Sequence, residues 1–293
     1  MSETNRPATL RIVTFNNLLG PFQIVQRWAA QAGHTVVLAV TTPGPTTRRT
    51  TSYKEILATA SPDLDILVTT RLRRVAMPLI RELRPDLIVS FTFPYRLPPE
   101  LRALARLGAV NLHPTPLPAY RGPNPMRLVF DGYHQMGATL HWTADEFDTG
   151  AILSQHTAPM PADLTVERMF ATWAPLMAQT LAEGVARAVA GEPGSTQDEA
   201  GASYAAPFSP DEYRLDWRDP GYRLQQKCVA LTAMGSGARA AFNDIEYRIT
   251  QISPISDESG STPGTILSQD SESSTIACGD GAARITAQPI TTT

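Results

Sequence analysis

AVNLHPTPLPAYRG, residues 109–122, carries an apolar run through Asn111 and His113 into Pro114, Pro116 and Pro118. Ala109–His113 reads as a strand. Alternate residues of a strand share a face, so Asn111 and His113 project together while Leu112 turns away. Pro114 and Pro116 have no N–H for a ladder and end the strand there. Two polar side chains are thereby presented side by side at a strand's carboxyl end, where open α/β sheets hold their ligands.

The chain before this point alternates short apolar runs with amphipathic ones, the pattern of βαβ units. LRIVTF (10–15), HTVVLAVTT (34–42), LDILVTT (64–70) and DLIVSFTF (86–93) read as strands. PFQIVQRWAAQAG (21–33), VAMPLIRELR (75–84) and Pro98–Leu107 read as the helices between them, with Pro21 in a first turn and Gly33 at a stop. The expectation is an α/β fold with a Rossmann-like, doubly wound, mostly parallel sheet. The first strand runs into NNLLGPF (16–22), where a dinucleotide site would carry G-x-G-x-x-G, and only Gly20 is present. That argues against NAD or FAD chemistry.

Beyond residue 122, GATLHWTA (137–144) and AILSQHTAPM (151–160) read as strands and Leu164–Ala190 as a long helix. GEPGSTQDEAGAS (191–203) reads as a linker. The segments ARAAFNDIEYRITQI (238–252), GTILSQ (264–269) and STIACGDGAARITAQ (274–288) are short and β-rich, predicting a small OB-like antiparallel β-barrel. The expected organisation is a catalytic domain over 1–190, a linker over 191–206 and a barrel domain over 207–293, with a polar loop at 257–262.

With 293 residues, 42% hydrophobic and 18% charged, the composition is that of a globular chain with a substantial core. No run is long and apolar enough to span a bilayer, and MSETNRPATLRI lacks a signal-peptide core, so the expectation is a cytoplasmic protein without a membrane partner. Cys228 and Cys278 show neither CxxC spacing nor a neighbouring His, so neither a disulfide framework nor a metal site is expected. The net charge is −3, and residues 207–293 hold 7 basic against 11 acidic residues.

The second chemical element is DEFDTG, Asp145–Gly150, which places three carboxylates after GATLHWTA, with Gly150 permitting a sharp turn. Alone it reads as a solvated acidic turn. The succession NLHPTPLPAYRG, GATLHWTADEFDTG, PGTIL and IACGDGAARI closely resembles the 10-formyltetrahydrofolate-dependent formyltransferases, a family spanning glycinamide ribonucleotide, methionyl-tRNA, amino-sugar and hydroxyornithine enzymes. The tail blocks resemble the barrel domain of the tRNA enzyme.

The resemblance implies Asn111, His113 and Asp148 as the catalytic trio. It also implies a folate pocket between Phe93–Pro98 and Ala144–Phe147, with Phe93, Tyr95, Arg96, Leu97, Ala144, Asp145 and Glu146 as cofactor-binding candidates and recognition mainly through backbone groups. The chemistry suits these residue types. An amine attacking the formyl carbon creates a tetrahedral oxyanion, which Asn111 and a protonated His113 would stabilise, while Asp148 orients the imidazole and takes the proton from the attacking nitrogen. No metal is required. His141 stands where small-molecule formyltransferases often carry histidine, and Arg121 would either meet an acidic group of the substrate or cap the turn; both are substrate-binding candidates.

Three readings follow for the recipient. A small-molecule amine acceptor, such as an amino sugar nucleotide or hydroxyornithine, is favoured. Methionyl-tRNA is the alternative: the barrel resemblance supports it, but the acidic C-terminal segment and a loop offering only Arg48, Arg49 and Lys54 disfavour tRNA. A formyltetrahydrofolate hydrolase would usually carry a domain ahead of the catalytic one, and an inactive folate-binding protein does not explain an intact trio. A homodimer is compatible with the sequence.

Overall fold

In the computed structural model, residues 9–45, 50–242, 245–256, 260–271 and 273–290 are described. Arg48 and Arg49 of the loop considered above, and residues 257–259 of the expected polar loop, lie outside them. Seven strands, β1 (Arg11–Asn16), β2 (Thr35–Thr41), β3 (Ile66–Val68), β4 (Leu87–Phe91), β5 (Ala109–His113), β6 (Gln135–Trp142) and β7 (Ile152–Pro159), form one sheet in the order β3-β2-β1-β4-β5-β6-β7. The pairs among β1–β5 are parallel, and β6 runs antiparallel to β5.

Alternation along the strands feeds two apolar layers. Val13, Phe15, Leu38, Val40 and Ile88 pack with Ile80 of α3 (Met77–Leu83) and Leu101 of α4 (Pro99–Arg102). Ala39, on the opposite face, packs with Phe22 of α1 (Leu19–Gln31) and Ile56 of α2 (Ser52–Thr59). Helices on both faces and a strand order that reverses between β1 and β4 make a doubly wound sheet. Where a phosphate-binding loop would follow β1, Asn16 instead ties the strand ends together, donating from Nδ2 to the Phe91 carbonyl (3.2 Å) and accepting at Oδ1 from Thr14 (2.6 Å).

Two expected helices have other bounds than the sequence pattern suggested. Pro98–Leu107 contracts to α4 because the N–H groups of Arg106 and Leu107 bond back to the carbonyls of Pro85 and Asp86 rather than extending the helix. The helix expected over VAMPLIRELR starts earlier, with a π-turn over Leu72–Ala76 that runs into α3, which is capped by Arg84, whose φ is 45°. The long helix is α6 (Val166–Val189), preceded by the short α5 (Arg127–Phe130). Gly184 of α6 lets the helix press onto the sheet: a Cβ there would lie 2.4 Å from Ser154 Oγ and 2.5 Å from Leu140 Cδ2.

The tail opens with α7 (Gly221–Ala233), a helix the sequence reading had not placed. It continues with β8 (Ala238–Phe242), β9 (Ile245–Ile255), β10 (Ile266–Gln269), β11 (Ser274–Cys278) and β12 (Gly281–Pro289), an antiparallel sheet of order β10-β11-β12-β9-β8. Cys228 of α7 is buried against β9, donates to the Ile249 carbonyl, and burial pushes its thiol up to about 12. The chain divides into two compact units. One comprises the residues up to Pro123, Gly137–Thr157 and Trp173–Ser203; the other comprises Asn124–Met136, Ala158–Thr172 and the residues from Tyr204 onward. Among the described residues, no helix is long and apolar enough to cross a membrane.

Candidate active site

The β5–β6 ladder pairs Asn111 with His141 and His113 with Thr139, so strand register alone stacks four polar side chains at one end of the sheet. The loop that follows is pinned by side chains as well as by its prolines. Thr115 donates to the Ala119 carbonyl (2.8 Å), Thr139 donates to the Thr115 carbonyl (2.7 Å), and Gln155 donates to the Leu117 carbonyl (2.7 Å). Its last turn brings the Tyr120 carbonyl 2.9 Å from His113 Nε2, and since a carbonyl can only accept, Nε2 carries a hydrogen. By the same argument His141 donates from Nδ1 to the Trp142 carbonyl (2.8 Å).

Asp148 joins this cluster from the DEFDTG turn. Its Oδ1 lies 3.2 Å from Asn111 Nδ2, 3.5 Å from His113 Nδ1 and 3.6 Å from His141 Nε2, and its Oδ2 accepts from the Gly122 N–H at 2.8 Å. The carboxyl is only 8% exposed. Burial pushes its pKa up, but the charge of His113, the hydrogen bond and charge of His141 and the Gly122 N–H outweigh burial and hold it well below the usual carboxylate range. The turn is tight: Asp148 has φ 59°, and a Cβ on Gly150 would fall 1.6 Å from the Trp142 carbonyl oxygen. Only glycine fits there.

The expected trio is thus one cluster of hydrogen bonds and ion pairs, with His141 as a fourth member buried inside it rather than on an acceptor-facing surface (1% exposed). Asn111 Nδ2 donates to Asp148 Oδ1 and lies 3.1 Å from His141 Nε2. Arg121 is also engaged, forking to Glu199 (2.7 and 2.9 Å) and to Gln197 Oε1 (2.8 and 3.1 Å). It closes the turn against the connector after α6.

The two loops expected to flank the folate meet. Arg96 donates to the Asp145 carbonyl and to Glu146 Oε1 (both 3.1 Å), and Arg102 donates to the Thr143 carbonyl at 2.7 Å and pairs with Asp145. Phe93 and Leu97 point into the core, Phe93 edge-on to Phe15 at 5.1 Å, so any contact with a ligand from these two positions comes from their backbone. Tyr95 is half-buried and Phe147 is 48% exposed, leaving aromatic surface beside the joined loops. Ala144 stands between Thr143 and Asp145 in the same segment. Among the described residues, no group of His, Cys, Asp and Glu side chains is placed to hold a metal ion.

Sequence reasoning missed Gln197 and Ser203. Gln197 is buried and bonds to the backbone of Asp148 and Gly150, and Ser203 bonds to residues 118–121. Nothing in GEPGSTQDEAGAS distinguishes these two from an ordinary solvated linker, because their partners are remote in sequence.

A family model described as formyl transferase matches residues 24–184, more than half of the chain, and a model of the formyl transferase C-terminal domain matches residues 207–289. The chain belongs to the formyl transferase family. Similar sequences include the methionyl-tRNA formyltransferase of Pseudomonas paraeruginosa, 34% identical over 206 residues that cover 70% of this chain and 66% of the relative. That of Roseiflexus sp. is 29% identical over 290 residues, 96% of this chain and 88% of the relative.

Among solved structures, HypX from Aquifex aeolicus in complex with tetrahydrofolic acid superposes with a TM-score of 0.68 at 19% identity, over 95% of this chain and 44% of HypX. The N-formyltransferase from Helicobacter canadensis, solved with folinic acid and dTDP-3-aminofucose, gives 0.66 at 13% identity, over 96% of this chain and all of that one. The chain therefore spans less than half of HypX and just under two thirds of the Pseudomonas relative. The resemblance and the Rossmann-like fold read from the sequence are both borne out.

Proposed function

We propose that this formyltransferase carries the formyl group of 10-formyltetrahydrofolate to the amine of a small biosynthetic acceptor of the amino sugar nucleotide or hydroxyornithine type. The observation that carries the chemistry is the convergence of Asn111 Nδ2, His113 Nδ1 and His141 Nε2 within 3.2–3.6 Å of one buried carboxylate oxygen of Asp148.

The co-substrate supplies an electrophilic formyl carbon: attack by the amine forms the new C–N bond, develops negative charge on the formyl oxygen and leaves a proton to be removed from the attacking nitrogen, and collapse of the adduct breaks the bond from the formyl carbon to N10, which takes up a proton and leaves as tetrahydrofolate. Asn111 Nδ2–H is the donor for that oxygen, and protonated His113, its Nε2–H held by the Tyr120 carbonyl and its Nδ1 facing Asp148, adds positive charge beside it. Asn111 Nδ2 already contacts Asp148 Oδ1, so the cluster exchanges an internal contact for the developing charge instead of reorganising water. Asp148, held ionised, favours the protonated imidazole and accepts the proton from the amine directly or through one water. The folate fits the chemistry of the joined loops 93–98 and 144–147: backbone polar groups and the half-exposed aromatic rings of Tyr95 and Phe147 suit a flat ring with a hydrogen-bonding edge.

Charge supports the small acceptor. Three of the tail's seven cations are paired with its own carboxylates: Arg214 with Glu246 at 2.8 Å, Arg218 with Asp216 at 2.7 Å and Lys227 with Asp219 at 2.5 Å. A polynucleotide partner needs surplus positive charge to displace counterions, and this segment has none to offer. Methionyl-tRNA is the second reading because the sequence relatives bear that name. Incubation with 10-formyltetrahydrofolate and amino-sugar nucleotides, hydroxyornithine or methionyl-tRNA, with formylated products read by mass spectrometry, tests both. Efficient formylation of methionyl-tRNA with none of the small amines overturns the first reading, and formate released without an amine overturns both. A cytoplasmic location fits the same reading.

A further inference from the structure

We infer that Gln197 is a positioning residue for formyl transfer, its carboxamide locking the Asp148 turn in the geometry the cluster needs. This rests on the reading of Asp148 as the group that supports His113 and takes the proton.

Gln197 lies in the connector after α6 and is only 6% exposed. Its Nε2 donates to two backbone carbonyls, those of Asp148 and Gly150, each at 2.8 Å. Its Oε1 accepts from Arg121 Nε and Nη2 at 3.1 and 2.8 Å. All four hydrogen-bonding positions of the amide are used, and they fix its orientation: carbonyls can face only the NH2 end and a guanidinium only the oxygen. Arg121 is held from outside by Glu199 and polarises the amide, which strengthens the two N–H donors.

The two carbonyls flank the one position in the turn that needs holding. Asp148 has φ 59°, a left-handed conformation that costs a non-glycine residue roughly 1–3 kcal/mol and persists only where its surroundings over-determine it. Without Gln197, the Asp148 and Gly150 carbonyls would be buried without these donors and the turn could relax, carrying the carboxylate away from His113 and Gly122. The same connector holds the other side of the cluster. Ser203 accepts at Oγ from the Tyr120 N–H (2.9 Å), accepts at its carbonyl from the Arg121 N–H (2.9 Å), and donates to the Pro118 carbonyl (3.2 Å). Tyr120 supplies the carbonyl that orients His113, and Gly122 the N–H that binds Asp148. The folate-side loop, by contrast, is anchored separately through Arg96 and Arg102. A loosened Gln197 should therefore slow transfer without weakening folate binding.

Gln197→Glu keeps the shape and the Arg121 contact but turns an acceptor toward the two carbonyls; Gln197→Met removes the donors without adding charge and serves if the first variant does not fold. The Asp148 carboxyl is followed by carbon-13 NMR through an acid titration, with Asp148→Asn providing the assignment, and tetrahydrofolate affinity by calorimetry. In either variant the Asp148 midpoint should rise by at least one pH unit toward the ordinary carboxylate range, while tetrahydrofolate affinity stays within threefold. With any amine found to be formylated, kcat should fall at least 30-fold and KM for the folate should stay within threefold. An Asp148 midpoint unmoved in folded Gln197→Glu or Gln197→Met overturns the assignment, and this readout needs no acceptor, so it stands apart from the choice of acceptor. Folate affinity lost in parallel with kcat would also overturn it, since that marks a general loosening.

Discussion

Asp148→Asn changes one atom type at the centre of the cluster and little else. Asparagine is among the few residues at ease with φ near the 59° observed, and its carbonyl oxygen can still accept the Gly122 N–H, so the turn should survive. What disappears is the charge. At the 3.5 Å between Asp148 Oδ1 and His113 Nδ1, a carboxylate and an imidazolium attract by roughly 5 kcal/mol at an effective dielectric near 20. Part of that offsets the burial of the carboxylate, so about 3–4 kcal/mol should be missing from the transition state, a loss of roughly 200- to 1000-fold in kcat. Steady-state kinetics with saturating 10-formyltetrahydrofolate measure the loss, and thermal denaturation checks that the variant is folded. A folded variant retaining kcat within tenfold of the parent would refute the role given to the carboxylate.

Asn111→Ala should lower kcat by about 3 kcal/mol, roughly 150-fold, the worth of one oxyanion donor, with KM for the folate little changed; turnover near normal would remove Asn111 from that role. Gly150→Ala should cost at least about 3 kcal/mol of stability, because the new methyl meets the Trp142 carbonyl oxygen at 1.6 Å, and a Tm within 2 °C of the parent would contradict the packing. Arg96→Ala should raise KM for 10-formyltetrahydrofolate several-fold through loss of the bridge between loops 93–98 and 144–147, leaving kcat almost intact; equal KM values would separate that bridge from folate binding. Acid should weaken the second unit through Glu212, which its hydrogen bond to Arg127 holds down to about 2 against an ordinary 4.5. A folded-state pKa below the unfolded value means the contribution is complete above about pH 4.5 and is lost as pH falls toward 2. Denaturant titrations between pH 6 and 2.5 should therefore show a shallower loss of stability in Glu212→Gln than in the parent, and identical slopes would contradict the pairing.

The parts legible in the sequence were those carried by local periodicity. The apolar runs of β1, β2, β4 and β5 and the amphipathic α1 announced a doubly wound sheet, because burial on two faces demands unbroken apolar strands. Period-two alternation put Asn111 and His113 on one face of β5. Where backbone donors were taken by remote carbonyls, as at Arg106 and Leu107, the local pattern overran the real helix. In the tail, α7 was hidden because its weak polar–apolar contrast says little until a sheet covers it.

The residue types of the proposed trio and their order along the chain were thus determined by the sequence itself, since a strand's alternation and a proline's missing N–H act within a few residues. What only the tertiary structure decided is which groups touch. It buried His141 beside Asp148, committed Arg121 to Glu199 and Gln197, and turned an apparent linker into the support of the Asp148 turn. The contacts of Arg121 with Glu199 and of Gln197 with Asp148 join residues 78 and 49 positions apart, and each depends on buried polar groups finding partners, a requirement that acts across space and leaves no periodic trace in the chain.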